Sequence, residues 1–509
     1  MAPSNAALFD VPLIVLSALL IRWLVSLWGY SGKGTPPVFG DYEAQRHWME
    51  VTTNLPLGQW YFYDLSYWGL DYPPLTAYVS WACGVVSASL EPASMALGAS
   101  RGYETDTHKA FMRFSVLFFD LLVFFPAAWH LSRKLPGGKA SATARFALVL
   151  CQPGLLLIDH GHFQYNNVSV GFALGGAAAL LENHDLAASV LFCLSLNFKQ
   201  MSLYYAPVFF VHLLAQCARS PTPVRHFMLI GSTVVGTFGC LWAPFCVLPR
   251  AGSTCIDSTG QILQRLFPFN RGLFEDKVAN FWYVLSIPVD LREQYDVSTL
   301  KLLSLGATIL LLSPVLVDLF RRGPAPMPRR LLLALHNSAL AFFLCAFQVH
   351  EKSILLPLAP LAFLVTDDPL FVGWIAIVAT FSMHPLLTRD GLSIPYAACI
   401  AAFLLALWAF GDNVSAESPM VHGTRGATFS PTFLKVRRVV VAASAVGMVA
   451  LHALHCTVAP PARYPDIFPL LFAVFSFGHF TLAYVYCVAW QWSSREEESM
   501  ALRTNTKAE

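Results

Sequence analysis

The chain has 509 residues, of which 56% are hydrophobic, 14% aromatic and only 13% charged, with a formal net charge of +2. A soluble globular chain carries about 25% charged residues. With a mean hydropathy of +0.54 and no basic tract, the composition points away from a soluble domain and from a nucleic-acid binder, and towards a multi-pass membrane protein.

The first apolar run, 11–28, follows Asp10, with no cationic segment before it and no clear small-residue cleavage site. It reads as a retained transmembrane helix and not as a removed signal. Further runs fall at 111–131, 143–159, 167–182, 186–198, 201–217, 227–248, 299–320, 331–348, 353–366, 370–385, 395–411, 439–456 and 467–491, fourteen spans in all. Residues 73–97 and 279–290 are apolar but broken by Pro, Ser and other polar residues, and are expected to lie in the interface as amphipathic helices. The fold expected is a single all-α integral membrane domain over 1–509, with long loops at 29–110 and 249–298. The eleven cysteines are scattered, mostly inside apolar runs such as VLFCLSLNF, with no CxxC. They read as small buried hydrophobes.

An even number of spans puts both termini on one side. The short loops after spans 2, 6, 8 and 12 hold Arg133, Lys134, Lys139, Arg219, Arg225, Arg321, Arg322, Arg329, Arg330, Arg425, Lys435, Arg437 and Arg438. Those after spans 3, 5, 9, 11 and 13 hold only Lys199, Lys352, Arg389 and Arg463. The positive-inside rule then places both termini in the cytoplasm and the two long loops on the opposite side.

Six polar clusters fall on that opposite side: GDYEAQRHW, YWGLDYPPLTAY, DHGHFQYNN, NFKQ, RGLFEDKVANFW and QVHEKS. Ionisable groups at membrane depth mark a site or pathway, and six on one face suggest one site built from many helix ends. Its candidate groups are Asp41, Glu43, Asp71, Asp159, His160, His162, Lys199, Glu275, Asp276, Lys277, His350, Glu351 and Lys352. A transporter would carry such groups nearer the midplane, often with internal repeats, and no repeat is evident here. A channel filter is not visible either. A site at helix ends suits an enzyme with a lipid-linked substrate, whose tail stays in the bilayer while its head reaches polar groups. Lysine and histidine complement a phosphate leaving group, and a carboxylate serves as general base on an acceptor hydroxyl. No DxD pair is present, and His160 and His162 have no evident third ligand, so no metal is expected.

Several of these stretches, namely SGKGTPPVFGDYEAQRHWMEVT, SYWGLDYPPLTAY, DHGHFQYNNVSVG, FKQMSLYYAP, FPFNRGLFEDKVANFW and FQVHEKSILLPL, resemble in order the endoplasmic-reticulum glucosyltransferases of the asparagine-linked glycosylation pathway. The resemblance implies a GT-C architecture in the endoplasmic-reticulum membrane, in agreement with the fourteen spans. It implies transfer of glucose from dolichyl-phosphate-glucose to Man9GlcNAc2-diphosphate-dolichol in an α-1,3 linkage, by an inverting reaction without metal or other cofactor. The sister enzyme that adds the second glucose typically has Val-His and Asn-Trp where this chain has Ala44-Gln45 and His47-Trp48, which favours the first-glucose reaction.

The resemblance assigns Asp41 as general base, although Asp-Tyr-Glu-Ala also reads as a helix N-cap. Lys277, His350 and Lys352, with Arg271 behind them, are the candidates for the leaving phosphate. Asp71 and Tyr72, before Pro73-Pro74, bind substrate or shape a turn. His160, His162, Gln164 and Tyr165 contact substrate or stabilise a tight loop. Lys199 and Gln200 bind substrate or snorkel at a helix end. Glu275, Asp276 and Glu351 bind substrate or form ion networks with neighbouring lysines. Glu43, Arg46 and His47 are expected to form a salt-bridged support around Asp41. Of two sequons, Asn167-Val168-Ser169 abuts a span and Asn413-Val414-Ser415 is cytoplasmic, so neither is expected to carry glycan.

Overall fold

The computed structural model describes residues 10–267, 277–323, 327–411 and 431–505, and it is all-helical, with no β-strand among the described residues. Eight elements build the first half: α1 (Val11–Ser26), α2 (Asp41–Asn54), α3 (Pro74–Leu90), α4 (Asp106–Lys134), α5 (Lys139–Leu150), α6 (Pro153–Phe163), α7 (Asn166–Leu181) and α8 (Asp185–Phe198).

Among the described residues, six helices are long and apolar enough to cross a membrane: α4, Gln200–Arg219, Pro223–Val247, Val297–Arg322, Lys435–Thr457 and Ile467–Ser493. α5 and α6 make a seventh if taken together, bent by 44° where Gln152 and Pro153 interrupt them. Proline has no amide hydrogen to continue the ladder, and the Gln152 side chain accepts from the Leu155 amide at 2.7 Å to start the next turn. Six further apolar helices have 10–17 residues. Such a helix of 14 residues, as in α8, rises only about 21 Å, short of a hydrocarbon core of about 30 Å.

The stretches at 143–159 and 353–366, expected as continuous spans, are broken. The second is a 3₁₀ turn, the eight-residue helix Leu355–Ala362 and another 3₁₀ turn. Conversely α3 is one apolar helix of 17 residues, where polar residues had suggested an interrupted interfacial segment. Two of its three serines, Ser80 and Ser87, are buried against the protein, and the exposed Ser89 hydroxyl donates to the Val85 carbonyl at 3.0 Å, so all three cost little. Gly84 allows α3 to lie close on α2, since a Cβ there would stand 2.1 Å from Thr53 Oγ1.

Helices Pro223–Val247 and Lys435–Thr457 turn Val224, Met228, Val235, Val439, Val446 and Val449 outward, the surface a bilayer would cover. At the core, buried Arg22 of α1 donates to Asp120 of α4 at 2.8 Å, and the same carboxylate oxygen meets His160 Nε2 at 2.9 Å and Asn167 Nδ2 at 3.0 Å. Pairing of this kind is what makes buried charge tolerable.

The loops expected to be cytoplasmic are bonded to one another. Arg145 links the Pro136 carbonyl (3.0 Å) to Thr366 (2.7 Å), and Arg219 donates to the Phe320 carbonyl at 3.1 Å. Arg329 pairs with Asp367, and Arg437 with Asp368.

The reading of the cysteines as small buried hydrophobes holds for Cys83, Cys193, Cys217, Cys345, Cys399 and Cys487, but Cys240 and Cys456 are exposed and two others are paired. Cys246, at the end of Pro223–Val247, is disulfide-bonded to Cys255, at the start of the amphipathic helix Cys255–Leu266.

Candidate active site

Five of the six polar clusters meet near the N-terminus of α2. Gly40 is its cap, and Asp41 is its first helical residue, so the N-cap reading of Asp41 is corrected. A carboxylate at this position is favoured by the positive end of the helix. Gly40 is needed for close approach: a Cβ would stand 2.5 Å from Ser31 Oγ and 2.6 Å from the Ser31 backbone. Ser31 binds the two motifs together, since its hydroxyl accepts the Asp41 amide at 3.1 Å and its own amide donates to the His162 carbonyl at 3.0 Å.

One oxygen of Asp41, Oδ2, receives three partners. Gln164 Nε2 donates at 2.5 Å, His162 Nε2 lies at 2.9 Å, and Lys352 forms an ion pair. Oδ1 accepts no hydrogen bond among the described residues. Asp41 and Lys352 each keep 22% of their side chains exposed, whereas His162 keeps 2%. Burial pushes the Asp41 carboxyl up, but the Lys352 and His162 charges together outweigh it and hold the group well below the usual carboxylate range. For Lys352 the signs reverse: burial pushes its ammonium down, and Asp41 and Glu351 more than offset this.

A second cation lies alongside. Lys199 Nζ donates to Gln164 Oε1 (3.3 Å) and Asn166 Oδ1 (2.5 Å) and sits over the Tyr72 ring, 4.9 Å from its centroid. Every one of these partners is neutral, and no carboxylate is in ion-pair range among the described residues. Burial and the neighbouring Lys352 bring Lys199 down to about 8. The snorkelling reading is therefore corrected, since Lys199 turns inward. Tyr72 hydroxyl reaches Gln164 Oε1 at 3.4 Å, and Gln200 Nε2 donates to the carbonyls of Asp71 (3.2 Å) and Leu266 (3.4 Å). Gln200 thus joins the two long loops.

Three of the non-glycine residues with positive φ flank the site: Phe39 (64°), Phe163 (85°) and Gln348 (60°). Each lies within four residues of Asp41, His162 or Lys352. Such conformations cost about 1–3 kcal/mol and persist where surrounding structure enforces them.

Other sequence candidates lie elsewhere. His160 faces Asp120 and Arg22, so it and His162 do not converge. Tyr165 is buried and hydrogen-bonds Ser115 at 2.6 Å. Lys277 pairs with Asp466 at 3.3 Å. His350 and Glu351 share the turn that presents Lys352. Arg271, Glu275 and Asp276 lie outside the described residues, as does the Asn413 sequon. Asn167 is buried against Asp120 and unavailable for modification.

The expected support is present as Arg46, buried, donating to Glu43 at 2.7 Å and to Glu50 at 2.7 Å, with His47 Nδ1 at 3.2 Å from Glu50. It stiffens α2 below Asp41 without touching that carboxylate.

Sequence reasoning missed Asp390. Its carboxylate lies 2.5 Å from His162 Nδ1, with both side chains buried. Its segment, TRDGLS, follows the eleventh predicted span on the face that gathers the other clusters, but a single aspartate before a glycine carries no signal beyond that of a turn.

The chain matches the ALG6, ALG8 glycosyltransferase family over residues 18–486. It is 44% identical over 489 residues to a Gallus gallus protein named dolichyl pyrophosphate Man9GlcNAc2 alpha-1,3-glucosyltransferase, covering 93% of this chain and 94% of that one. A Mus musculus protein of the same name is 41% identical over 504 residues, covering 95% and 96%. A Dictyostelium discoideum protein named as a probable enzyme of this kind is 40% identical over 503 residues, covering 94% of each. Taken with an all-helical fold and a carboxylate held at the meeting point of its polar motifs, these likenesses make this chain a member of the ALG6, ALG8 glycosyltransferase family.

Proposed function

We propose that this chain transfers glucose from dolichyl-phosphate-glucose to Man9GlcNAc2-diphosphate-dolichol, forming an α-1,3 linkage with inversion. The named relatives support the acceptor and the linkage. The observation that carries the site is Asp41, anchored through Oδ2 by three partners while Oδ1 accepts no hydrogen bond among the described residues.

In this reading Oδ1 takes the proton of the acceptor hydroxyl. The hydroxyl oxygen attacks the anomeric carbon from the face opposite the phosphate, and the bond from that carbon to the phosphate oxygen breaks. Dolichyl phosphate leaves with one more negative charge, and the proton stays on Asp41 until solvent removes it. General-base assistance is worth roughly 10²–10⁴-fold. Lys199, a half-buried amine whose hydrogen-bond partners among the described residues are neutral, is placed to accept an anion, and the donor phosphate is a fitting one. Lys352, partly exposed and able to swing, can move from Asp41 towards the same phosphate. Asp41 would then gain basicity as the donor arrives.

The architecture that goes with this reading is a GT-C fold of about fourteen spans, counting the short and bent helices, in the endoplasmic-reticulum membrane. Its site and two long loops face the lumen and both termini the cytoplasm. The Cys246–Cys255 disulfide, in the second long loop region, supports an oxidising compartment on that side.

The test is purified protein with dolichyl-phosphate-glucose and Man9GlcNAc2-diphosphate-dolichol, with the released glycan analysed by mass. Gain of one hexose is expected. Gain of hexose only with the mono-glucosylated acceptor would assign the chain to the second-glucose step. Flux of substrate across sealed vesicles with no new glycosidic bond would replace the enzyme by a transporter.

A further inference from the structure

His162 anchors Asp41 in the reaction above, but its second partner, Asp390, has no part in it, and the geometry of the buried His162–Asp390 dyad is specific. Asp390 follows the short helix His384–Arg389, and its carboxylate Oδ2 lies 2.5 Å from His162 Nδ1. On the other side of the same ring, Nε2 lies 2.9 Å from Asp41 Oδ2. The ring therefore faces a carboxylate oxygen at each nitrogen, and only a doubly protonated imidazole donates to both. Lys352 Nζ is 3.0 Å from Nε2, so two aspartates and two cations form a nearly neutral quartet, buried at His162 and Asp390 and half-buried at Asp41 and Lys352.

The backbone around Asp390 is held as firmly as its side chain. Its carbonyl packs so close to Gly29 that a Cβ there would stand 2.1 Å away, and a Cβ on Gly161 would meet Leu392 at 2.9 Å. Arg113 Nη2 donates to the carbonyls of both Gly29 (2.9 Å) and Gly161 (2.8 Å). Thus Asp390, the chain after α1 and the end of α6 are fixed against one another.

We propose that Asp390 is a positioning residue for glucosyl transfer: through His162 Nδ1 it locks the imidazolium so that Nε2–H clamps Asp41 Oδ2 and leaves Oδ1 aimed at the acceptor hydroxyl. Asp390 touches neither substrate, and its effect passes wholly through His162, as with the buried partners that orient histidine in metal sites and catalytic triads. The proposal rests on the reading of Asp41 as the base.

The experiment is a double-mutant cycle in the purified full chain, with kcat and the KM for dolichyl-phosphate-glucose measured for Asp390→Asn, Asp390→Glu, His162→Gln and the double variants. Asp390→Asn is expected to lower kcat by about 10- to 100-fold, the usual loss for an outer partner of a working histidine, and to leave KM within about threefold. Asp390→Glu should restore part of kcat. In the His162→Gln background, Asp390→Asn should add less than about twofold, since its route is already cut. An equal loss in both backgrounds, or wild-type kcat in a well-folded Asp390→Asn, overturns the proposal. Should Asp390→Asn not fold, the cycle runs with Asp390→Ser under the same criteria. Full transfer by Asp41→Asn would instead refute the base, while the coupling between positions 390 and 162 would still be measured.

Discussion

At Asp41 two requirements compete. A base must be ionised at rest, yet basic enough to accept a proton in the transition state. The Lys352 and His162 charges satisfy the first by overriding burial, and work against the second. If a base is what the reaction needs, Asp41→Asn keeps the shape and most hydrogen bonds but removes the proton acceptor. Transfer should fall by roughly 10²–10⁴-fold with donor binding and folding nearly unchanged, measured by turnover and by donor protection against thermal unfolding. Full turnover would remove Asp41 from the role. The sign of the pH effect follows from the same charges. A depressed carboxyl contributes stability above its ordinary pKa of about 3.9 and loses it as pH falls through the folded value. Lys352→Gln removes the largest charge opposing burial, so the Asp41 carboxyl rises. The acid limb of the kcat/KM profile should move to higher pH than in the wild type, whatever happens to the maximum rate. A limb that stays in place would mean that Lys352 does not tune Asp41. Asp41, His162, Gln164, Lys199 and Lys352 were all legible in the sequence, because each sits in a polar cluster against apolar spans. Asp390 was not, because a lone aspartate in TRDGLS has the composition of any turn.

Among the elements, α2 shows why local pattern alone falls short. Eleven consecutive residues, Tyr42 to Thr52, are buried, although DYEAQRHWMEVT reads as a polar helix with one wet face. Its charges are satisfied internally: Arg46 serves Glu43 and Glu50, and the Gly98 amide also donates to Glu50 at 2.6 Å. Burial alone would raise Glu50, but His47, Arg46 and the Gly98 amide bring it down to about 2. Its contribution to stability is thus present above the ordinary glutamate range and lost only as pH falls towards 2. Arg46→Met leaves two buried carboxylates without their cation, a loss of about 3–5 kcal/mol for a broken buried pair. The unfolding midpoint in detergent should drop steeply at neutral pH, and part of the loss should be recovered at acid pH, where the carboxylates can protonate. An unchanged midpoint would show that the triad is dispensable. The same lesson applies to spans. Runs of hydropathy gave the place of most helices, but not the breaks at Pro153 or inside 353–366, because those segments pack in protein and need not cross lipid whole.

The molecule as a whole has two chemically distinct ends. One is tied by arginines bridging loops near 136, 219, 320, 329, 367 and the start of the helix Pro431–Thr457. The other gathers Asp41, His162, Lys199, Lys352 and Asp390, and there Arg265 and Gln261 of helix Cys255–Leu266 donate to the carbonyls of Leu70 (3.1 Å) and Tyr61 (2.9 Å), joining the two long loops. The pair Lys277–Asp466 extends that second end to the loop before Ile467. Counting Lys and Arg by loop parity assigns these two groups of loops to opposite sides of a bilayer, because charge bias across a bilayer is a property of many loops at once. It follows that a glycosylation sequon carried in an inserted loop at the exposed stretch 459–463 should gain a glycan in microsomes. The same insertion at 136–138, within the arginine-tied end, should not. Removal of the added mass by an endoglycosidase reads the result directly. Modification at 136–138 would reverse the orientation and put the Asp41 cluster in the cytoplasm. The Cys246–Cys255 bond supplies an independent check on the same microsomes: both thiols should resist a permeant alkylating reagent until reductant is added, since a disulfide persists only on the oxidising side.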